Sequence, residues 1–529
     1  MKQIKRLTTL ALAVMLLLSL AIPAFAVNIT IDDKNVTGAE YSAYKLLNAT
    51  NSAGDDGENT RYAYTLNTKY TAVLQEVTGK TTEADIIEYI SKLNDAGIRD
   101  FADAVYAKVK NMGADATATE NVFTGVDQGY YLIVETKVGT APGYDKDTYS
   151  LVMLDTAGLD DITVETKEEL PTSQKKVKDK NDTAGSTTNW QDSADHDIGD
   201  AVPFQIIFTL PSDFANYENY FVGIHDVQAE GLTFIENSLT VTVGSKDITE
   251  WFTYSTPDNC SKGCTFHIQC ADIIAKANAE GVTLAAGANI VFEYTSTLNE
   301  NAVLGSTGNP NEMTIEFSNN PYGDGTSETP KDRVIVFTYK VNVDKYSETV
   351  AEGNELKGAG FTLYKEVPAG TTNAQTGAAI KAAFADNIKA TALADDKHYV
   401  VAAEVETDKD GDTFGFKGVD DGNYVLVETT VPAGYNAWDA VAFTITAEHD
   451  AESDDPKLTS LTGGDLFSGD LGSINKDTGI LDTNIVNKSG VELPSTGGMG
   501  TTIFYALGGM MVLVAVVLLV TKKRMASAE

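Results

Sequence analysis

One phrase occurs twice in this chain and constrains its fold more than any other feature. GVDQGYYLIVET (Gly125 to Thr136) returns as GVDDGNYVLVET (Gly418 to Thr429). A proline and a Gly-Tyr pair follow each copy: Pro142, Gly143 and Tyr144 in the first, Pro432, Gly434 and Tyr435 in the second. Upstream, VTGAEYSAYK (Val36 to Lys45) matches LKGAGFTLYK (Leu356 to Lys365); downstream, EELP (Glu168 to Pro171) answers VELP (Val491 to Pro494). The first and last thirds are therefore copies of one unit. Strand-like runs punctuated by Gly and Asn/Asp turns predict that this unit is a β-sandwich.

The middle third is also rich in strand patterns: VPFQIIFTLP, GLTFIENSLTVTVG, ANIVFEYTSTL, EMTIEFSNNP and RVIVFTYKVNV, with a short helix expected at Cys270 to Ala279. The last of these strands is expected to run directly into the third unit. No Gly/Ser-rich or Pro-rich linker separates the units. The fold expected is mostly β, three sandwiches joined stiffly into a rod, with boundaries at 27–170, 171–340 and 341–490. In the first, Ala39, Tyr41 and Ala43 alternate with polar residues, as in a half-buried strand. Between Thr82 and Lys110 the period changes. Ile86, Ile87, Ile90, Leu93, Ile98, Phe101, Ala102, Val105 and Val109 recur at helical spacing, and Thr82 with Asp85 offers an N-cap. Gly97 interrupts the run, so two short helices are expected on one side of the sheet.

Both ends carry targeting signals. Met1 to Ala26 has Lys2, Lys5 and Arg6, an apolar stretch from Leu10 to Ile22, and Ala24 and Ala26 before Val27, the pattern of a removable secretory signal peptide. At the other end, Leu493, Pro494, Ser495, Thr496 and Gly497 precede an apolar run over 503–520 and then Lys522, Lys523 and Arg524. The run is long enough to cross a bilayer as one helix, and the basic tail would stay on the cytoplasmic side. The formal net charge of -37 disfavours nucleic acid as a partner, because phosphates would be repelled. Cys260, Cys264 and Cys270 lie in one segment of an exported chain. A disulfide between two of them is expected, although with His267 they form the zinc-like pattern C-x3-C-x2-H-x2-C. DKDGD (Asp408 to Asp412) resembles the start of a calcium loop but has Val419 where the closing Glu belongs, so a hairpin turn is expected. No metal, cofactor or substrate-turnover site is expected.

Strand parity picks out a chemical set in the third unit. Val341, Val343 and Lys345 share one face of a strand; so do Tyr424, Leu426 and Glu428, and Ile485 and Asn487. A Lys, a Glu and an Asn on apolar faces would each be costly to bury alone. Burial lowers the pKa of Lys and raises that of Glu. A neutral amine could then attack the Asn carbonyl with the acid shuttling protons. The bland alternative is a buried Lys–Glu ion pair with Asn as a hydrogen-bond partner.

FTLYK, YVLVETTVPAGY and an Asn shortly before LPSTG resemble the Cna protein B-type domains of Gram-positive pilins, whose YxLxE phrase is the E-box. The resemblance implies an intramolecular isopeptide between Lys345 and Asn487, with Glu428 as catalyst. The first copy departs from it. Glu135 is kept, but Val164 stands where Asn487 does, and the stretch matching Lys345, NITID, has no Lys; no cross-link is expected there. The middle unit resembles the Cna protein A-like pilin fold. That implies a second isopeptide, with Lys175 (rather than Lys176) joined to Asn319 and Asp226 as the acid. The tail resembles a sortase sorting signal, implying cleavage between Thr496 and Gly497 with the acyl group passed to an amine. In pilus shaft proteins that amine lies in a VYPK-like phrase at the end of the first domain. The weak match here is VETK, with Lys167 as acceptor. The reading reached is a wall-anchored, sortase-assembled pilus shaft subunit, passing through a membrane-bound intermediate. Its expected partners are sortase, identical subunits, minor pilins, peptidoglycan and host surface ligands. The alternative is a wall-anchored adhesin or minor pilin that is not polymerised.

Overall fold

The computed structural model describes residues 26–33, 36–52, 61–159, 161–166, 169–255, 263–490 and 499–525. The expected signal peptide core, Lys167, Cys260 and the LPSTG pentapeptide lie outside them.

Three sandwiches follow one another. In the first, strand Ala26–Asp32 lies between Val122–Asp127 and Asp161–Glu165, pairing in parallel with the latter. The facing sheet has the order Arg61–Leu66, Glu40–Ser52, Gly129–Lys137, Leu151–Asp155. Its central strands are covered on both faces. Tyr41, Ala43, Tyr131 and Ile133 meet the other sheet, while Tyr44, Leu46, Leu132 and Val134 meet helices. Burial on both sides explains why GYYLIVE is a near-continuous apolar run rather than an alternating one. The half-buried strand expected at Val36 to Leu47 is thus corrected: it is Glu40–Ser52, covered on its second face.

That cover contains the two helices expected between Thr82 and Lys110, Glu83–Ser91 and Asp95–Val109, and a further one before them, Thr71–Thr78. Thr82 caps Glu83–Ser91 by accepting from the Asp85 N–H, as its sequence predicts. The interruption falls at Lys92 to Asn94, where Asn94 caps Asp95–Val109 by accepting from the Gly97 N–H. Gly97 therefore sits inside the first turn of that helix. The unexpected helix contributes Leu74 to the core.

The middle sandwich packs a seven-stranded sheet on a six-stranded one around aromatic residues such as Phe204, Phe208, Phe266 and Phe292. Its helix is Ile273–Glu280, capped by Asp272. A single residue, Thr338, separates strand Asp332–Phe337 of the middle unit from strand Tyr339–Ser347 of the third. Thr338 is fully buried. In the third sandwich, Tyr339–Ser347 pairs in parallel with Ile480–Asn487, near the end of the unit. Strand Gly422–Thr430 repeats the two-faced burial of its copy: Tyr424 and Leu426 face one core, Val425 and Val427 another. The second core includes Ile380 of the short helix Gly377–Ala383.

The joint between the first two units is held by main-chain bonds. Tyr149 N donates to Asn319 O at 3.0 Å and Asp145 N to Glu328 O at 3.3 Å. The last described element is a helix, Met499–Met525, whose large apolar side chains, among them Tyr505, Met511 and Val520, are exposed. Among the described residues no helix is long and apolar enough to cross a membrane; side chains 503 and 504, the start of the expected span, are not among those described.

Candidate functional site: buried lysines beside acids and amides

The parallel pair Tyr339–Ser347 and Ile480–Asn487 sets Lys345 opposite Ile485 and Ser347 opposite Asn487. Lys345, Glu428 and Asn487 are each 1 % exposed. The Lys345 Nζ donates to Asn487 Oδ1 at 2.6 Å, and Asn487 Nδ2 donates to Glu428 Oε1 at 2.7 Å. The amine and Glu428 Oε1 are 3.5 Å apart. Trp438 N holds the other carboxylate oxygen at 2.7 Å. Burial pushes the Lys345 amine down to about 8, with Glu428 opposing that shift. An amine with this affinity is partly neutral at physiological pH and is a competent nucleophile. It faces the amide oxygen, while the carboxylate faces the amide nitrogen, the side from which ammonia would leave.

In the middle sandwich Lys175 is fully buried, whereas Lys176 is half-buried and pairs with Asp192 at 2.6 Å. Asp226 belongs to strand Val222–Gln228 and is fully buried, not part of a surface turn. Lys175 Nζ lies 2.5 Å from Asp226 Oδ2 and 2.8 Å from the Tyr294 hydroxyl. Burial lowers the lysine's pKa and raises that of the aspartate, so the pair is driven toward amine and carboxylic acid.

The amide at this site is Asn311, not Asn319. Asn311 Nδ2 donates to the Tyr294 hydroxyl at 2.9 Å, and the hydroxyl donates to Asp226 at 2.7 Å. Asn311 Oδ1 and Asp226 Oδ1 are buried without partners. Orphaned oxygens are rare in native cores and mark a set of groups awaiting a further interaction. Asn319 is eight residues further along the same chain, a reach of roughly 26 Å at strand rise. It lies beyond the strand end at Ser318, and its Nδ2 donates to Asp147 O of the first unit at 2.7 Å. Asn319 therefore pins a joint. Both asparagines are in phase with the buried Met313, Ile315 and Phe317, so parity alone cannot separate them. The register that sets Met313 opposite Asp226 does.

The first sandwich keeps the acid and loses the rest. Glu135 is 1 % exposed; its two oxygens accept from Gly139 N at 3.0 Å and Ser150 N at 3.1 Å. Burial pushes it up to about 8 against those two hydrogen bonds. Ile31 pairs with Val164, and Ile29 with Ile162, in the register that Ser347 and Lys345 occupy in the third unit. Ile29 and Val164 thus replace Lys345 and Asn487, and both are buried.

A third buried lysine was not picked out from sequence. Lys365, of the FTLYK phrase, is 1 % exposed and reaches Asp182 at 3.0 Å and Asp197 at 2.7 Å in the middle unit, with Asp420 of its own unit closer still. Burial would discharge it, but the surrounding acids hold its pKa well above the usual lysine range. This lysine is an ion-pair anchor across a joint, not a nucleophile. Its copy in the first unit is Lys45, which meets Asp127 at 3.4 Å; the repeated Lys and GVD phrase was the available signal.

Cys264 is disulfide-bonded and Cys270 is a free, buried thiol. His267 stacks on His225 at 4.5 Å, which leaves the zinc-like pattern without support. Asp408 Oδ1 accepts from Gly411 N at 2.8 Å and Asp412 N at 3.2 Å, closing a turn between strands Val405–Thr407 and Thr413–Val419.

Comparison with known proteins agrees with this architecture. Residues 339–457 match the SpaA prealbumin-like fold domain, and residues 485–527 match the LPXTG cell wall anchor motif. The chain is 27% identical over 405 residues to the trypsin-resistant surface T6 protein of Streptococcus pyogenes, covering 68% of this chain and 70% of the relative. It superposes on the solved T6 backbone pilin of serotype M6 Streptococcus pyogenes with a TM-score of 0.52 at 18% identity, over 88% of this chain and 99% of that one. The major pilin SpaD of Corynebacterium diphtheriae aligns over 89% of this chain and 98% of its own, at 16% identity and a TM-score of 0.44.

Proposed function

We propose, for a surface chain that carries an LPXTG cell wall anchor and the multi-domain fold of the backbone pilins, that it is the shaft subunit of a covalent pilus. Sortase would cleave between Thr496 and Gly497, after the helix within 503–520 had held the secreted chain in the membrane. The Thr496 carbonyl would pass to Lys167 of the next subunit, and the last subunit to peptidoglycan. The units 27–170, 171–340 and 341–490 are the domains of this subunit.

Internal isopeptides stiffen the second and third domains. In the third, the neutral Lys345 Nζ attacks Asn487 Cγ. The new C–N bond forms, Glu428 carries a proton from the amine to Asn487 Nδ2, and that nitrogen leaves as ammonia. In the middle domain Lys175 and Asn311 react the same way, with Asp226 as the acid and Tyr294 as the hydrogen-bond bridge. The single observation that carries the reading is the Lys345–Asn487–Glu428 contact set in a chain that ends in an anchor. The bland ion pair would place the lysine on the carboxylate; here the amine is closer to the amide oxygen.

The test is the ladder of denaturation-resistant polymers in wall extracts. Lys167→Ala should abolish it while leaving monomer in the wall. An unchanged ladder would move the acceptor to another lysine. A wild-type extract with monomer alone would favour the unpolymerised adhesin.

A further inference from the structure

The joint between the second and third domains collects more buried carboxylates than its visible cations answer. One subset, Asp182, Asp197 and Asp420, is filled by the Lys365 ammonium. A second subset, Asp179 and Asp195 of the middle domain with His449 of the third, has ligand atoms grouped as closely but contains no lysine or arginine.

The imidazole's tautomer follows from its neighbours. Ser193 Oγ lies 2.7 Å from His449 Nδ1 and 2.6 Å from Asp450 O. A serine has one proton, and a carbonyl only accepts, so Ser193 donates to Asp450 O and accepts from Nδ1–H. His449 Nε2 then faces Asp179 Oδ2 at 3.4 Å and Asp195 Oδ1 at 3.9 Å. Those separations are long for a charge-assisted hydrogen bond, which runs about 2.7–2.9 Å. The first equals the edge of a tetrahedron around zinc, where bonds of about 2.0–2.1 Å set ligand atoms roughly 3.4 Å apart, and the second is about 0.5 Å longer, a gap that a small shift of Asp195 would close. A histidine whose far nitrogen is fixed by a hydrogen-bond acceptor is the usual metal-ligating arrangement. Asp195 Oδ2 is taken by Asp421 N at 3.0 Å, leaving Oδ1 for the cluster. A second observation points the same way. The Tyr339 hydroxyl is fully buried and makes no hydrogen bond of normal geometry; burial first, and then the Asp195 carboxylate it faces, raise its pKa.

We propose that His449 Nε2, Asp179 and Asp195 bind a divalent cation of the zinc class, clamping the second domain to the third, with the Tyr339 hydroxyl or a water completing the shell. This departs from the expectation of no metal drawn from sequence. The occupant it competes with is a proton on Nε2: burial alone would lower the imidazole, but Asp179 and Asp195 push it up to about 9.

The full chain, purified and stripped with a chelator, is titrated calorimetrically with zinc chloride. One zinc per chain should bind, and His449→Gln and Asp179→Asn should each weaken it at least tenfold. Absence of binding, or binding that these variants leave unchanged, overturns the site; the stacked His225 and His267 would be the place to look instead. Should the variants fail to fold, X-ray absorption at the zinc edge of the wild-type protein decides. A shell with one imidazole and the rest oxygen supports the site, and two or more imidazoles exclude it. Neither result depends on the polymer, so the proposed shaft role stands or falls separately.

Discussion

The first and third domains are copies that differ at two core-facing positions set diagonally, two residues apart in register, across a parallel strand pair. Where the third has Lys345 and Asn487, the first has Ile29 and Val164. The acid is kept in both, with different neighbours. Glu428 touches one backbone N–H and one side-chain amide; Glu135 touches two backbone N–H groups. The fold thus accepts either a buried lysine–asparagine pair or an apolar pair at the same place. What the acid does depends on what it touches. In the first domain it fixes the loop from Gly139 to Ser150, which also carries the contacts to the middle domain.

The largest effect should come from removing the amide of the proposed third-domain isopeptide. Asn487→Ala should restore one ammonia to the intact mass and leave Lys345 in an uncrosslinked tryptic peptide. The lost link closes a loop of 142 residues, worth about 5 kcal/mol of chain entropy. Differential scanning calorimetry should show the third domain melting roughly 10–20 °C lower, with the first domain unchanged. A mass already complete in wild-type protein would remove the difference between the copies.

A sharper test moves the chemistry. The double substitution Ile29→Lys with Val164→Asn rebuilds the third-domain set around Glu135. Loss of an additional ammonia would mean that the acid in the first copy is still competent. Retention of the full mass, with the domain folded by circular dichroism, would mean that its two backbone partners hold it out of reach.

The middle domain separates the two asparagines. Asn311→Ala should restore an ammonia to the mass, whereas Asn319→Ala should not. The latter should instead loosen the first joint, read as faster hydrogen exchange at Tyr149. The opposite pattern would return the cross-link to Asn319.

The smallest effect concerns pH. Glu135 holds its proton in the folded state up to about pH 8 but releases it near its ordinary value when unfolded. Between these values the folded state binds more protons, so the first domain should lose stability as pH rises from 5 to 8. Glu135→Gln should flatten that slope. A slope unchanged in the variant would place the titrating group elsewhere.

Parity made much of the site legible. Lys345, Glu428, Asn487 and Lys175 all stand in alternation with buried apolar residues, and each is on the core face. What parity cannot give is register between strands distant in sequence. Asn311 and Asn319 have the same phase, and only the pairing of Asp226 with Met313 tells them apart. The helix Thr71–Thr78 was missed because TAVLQEVT is short and no side chain caps it. His449 stayed hidden for another reason: its carboxylate partners Asp179 and Asp195 come from a different domain, as do two of the three acids around Lys365, and no local pattern refers across the joint.

The parallel pairing of Tyr339–Ser347 with Ile480–Asn487 has a mechanical consequence. In the proposed fibre, a pull would enter the third domain at Tyr339 and leave through Lys488. With Lys345 bonded to Asn487, that tension runs six residues along one strand, crosses a single amide and exits. The sheets, loops and helix between Tyr346 and Val486 would then hang outside the line of force, so that stretching such a shaft would not unravel them.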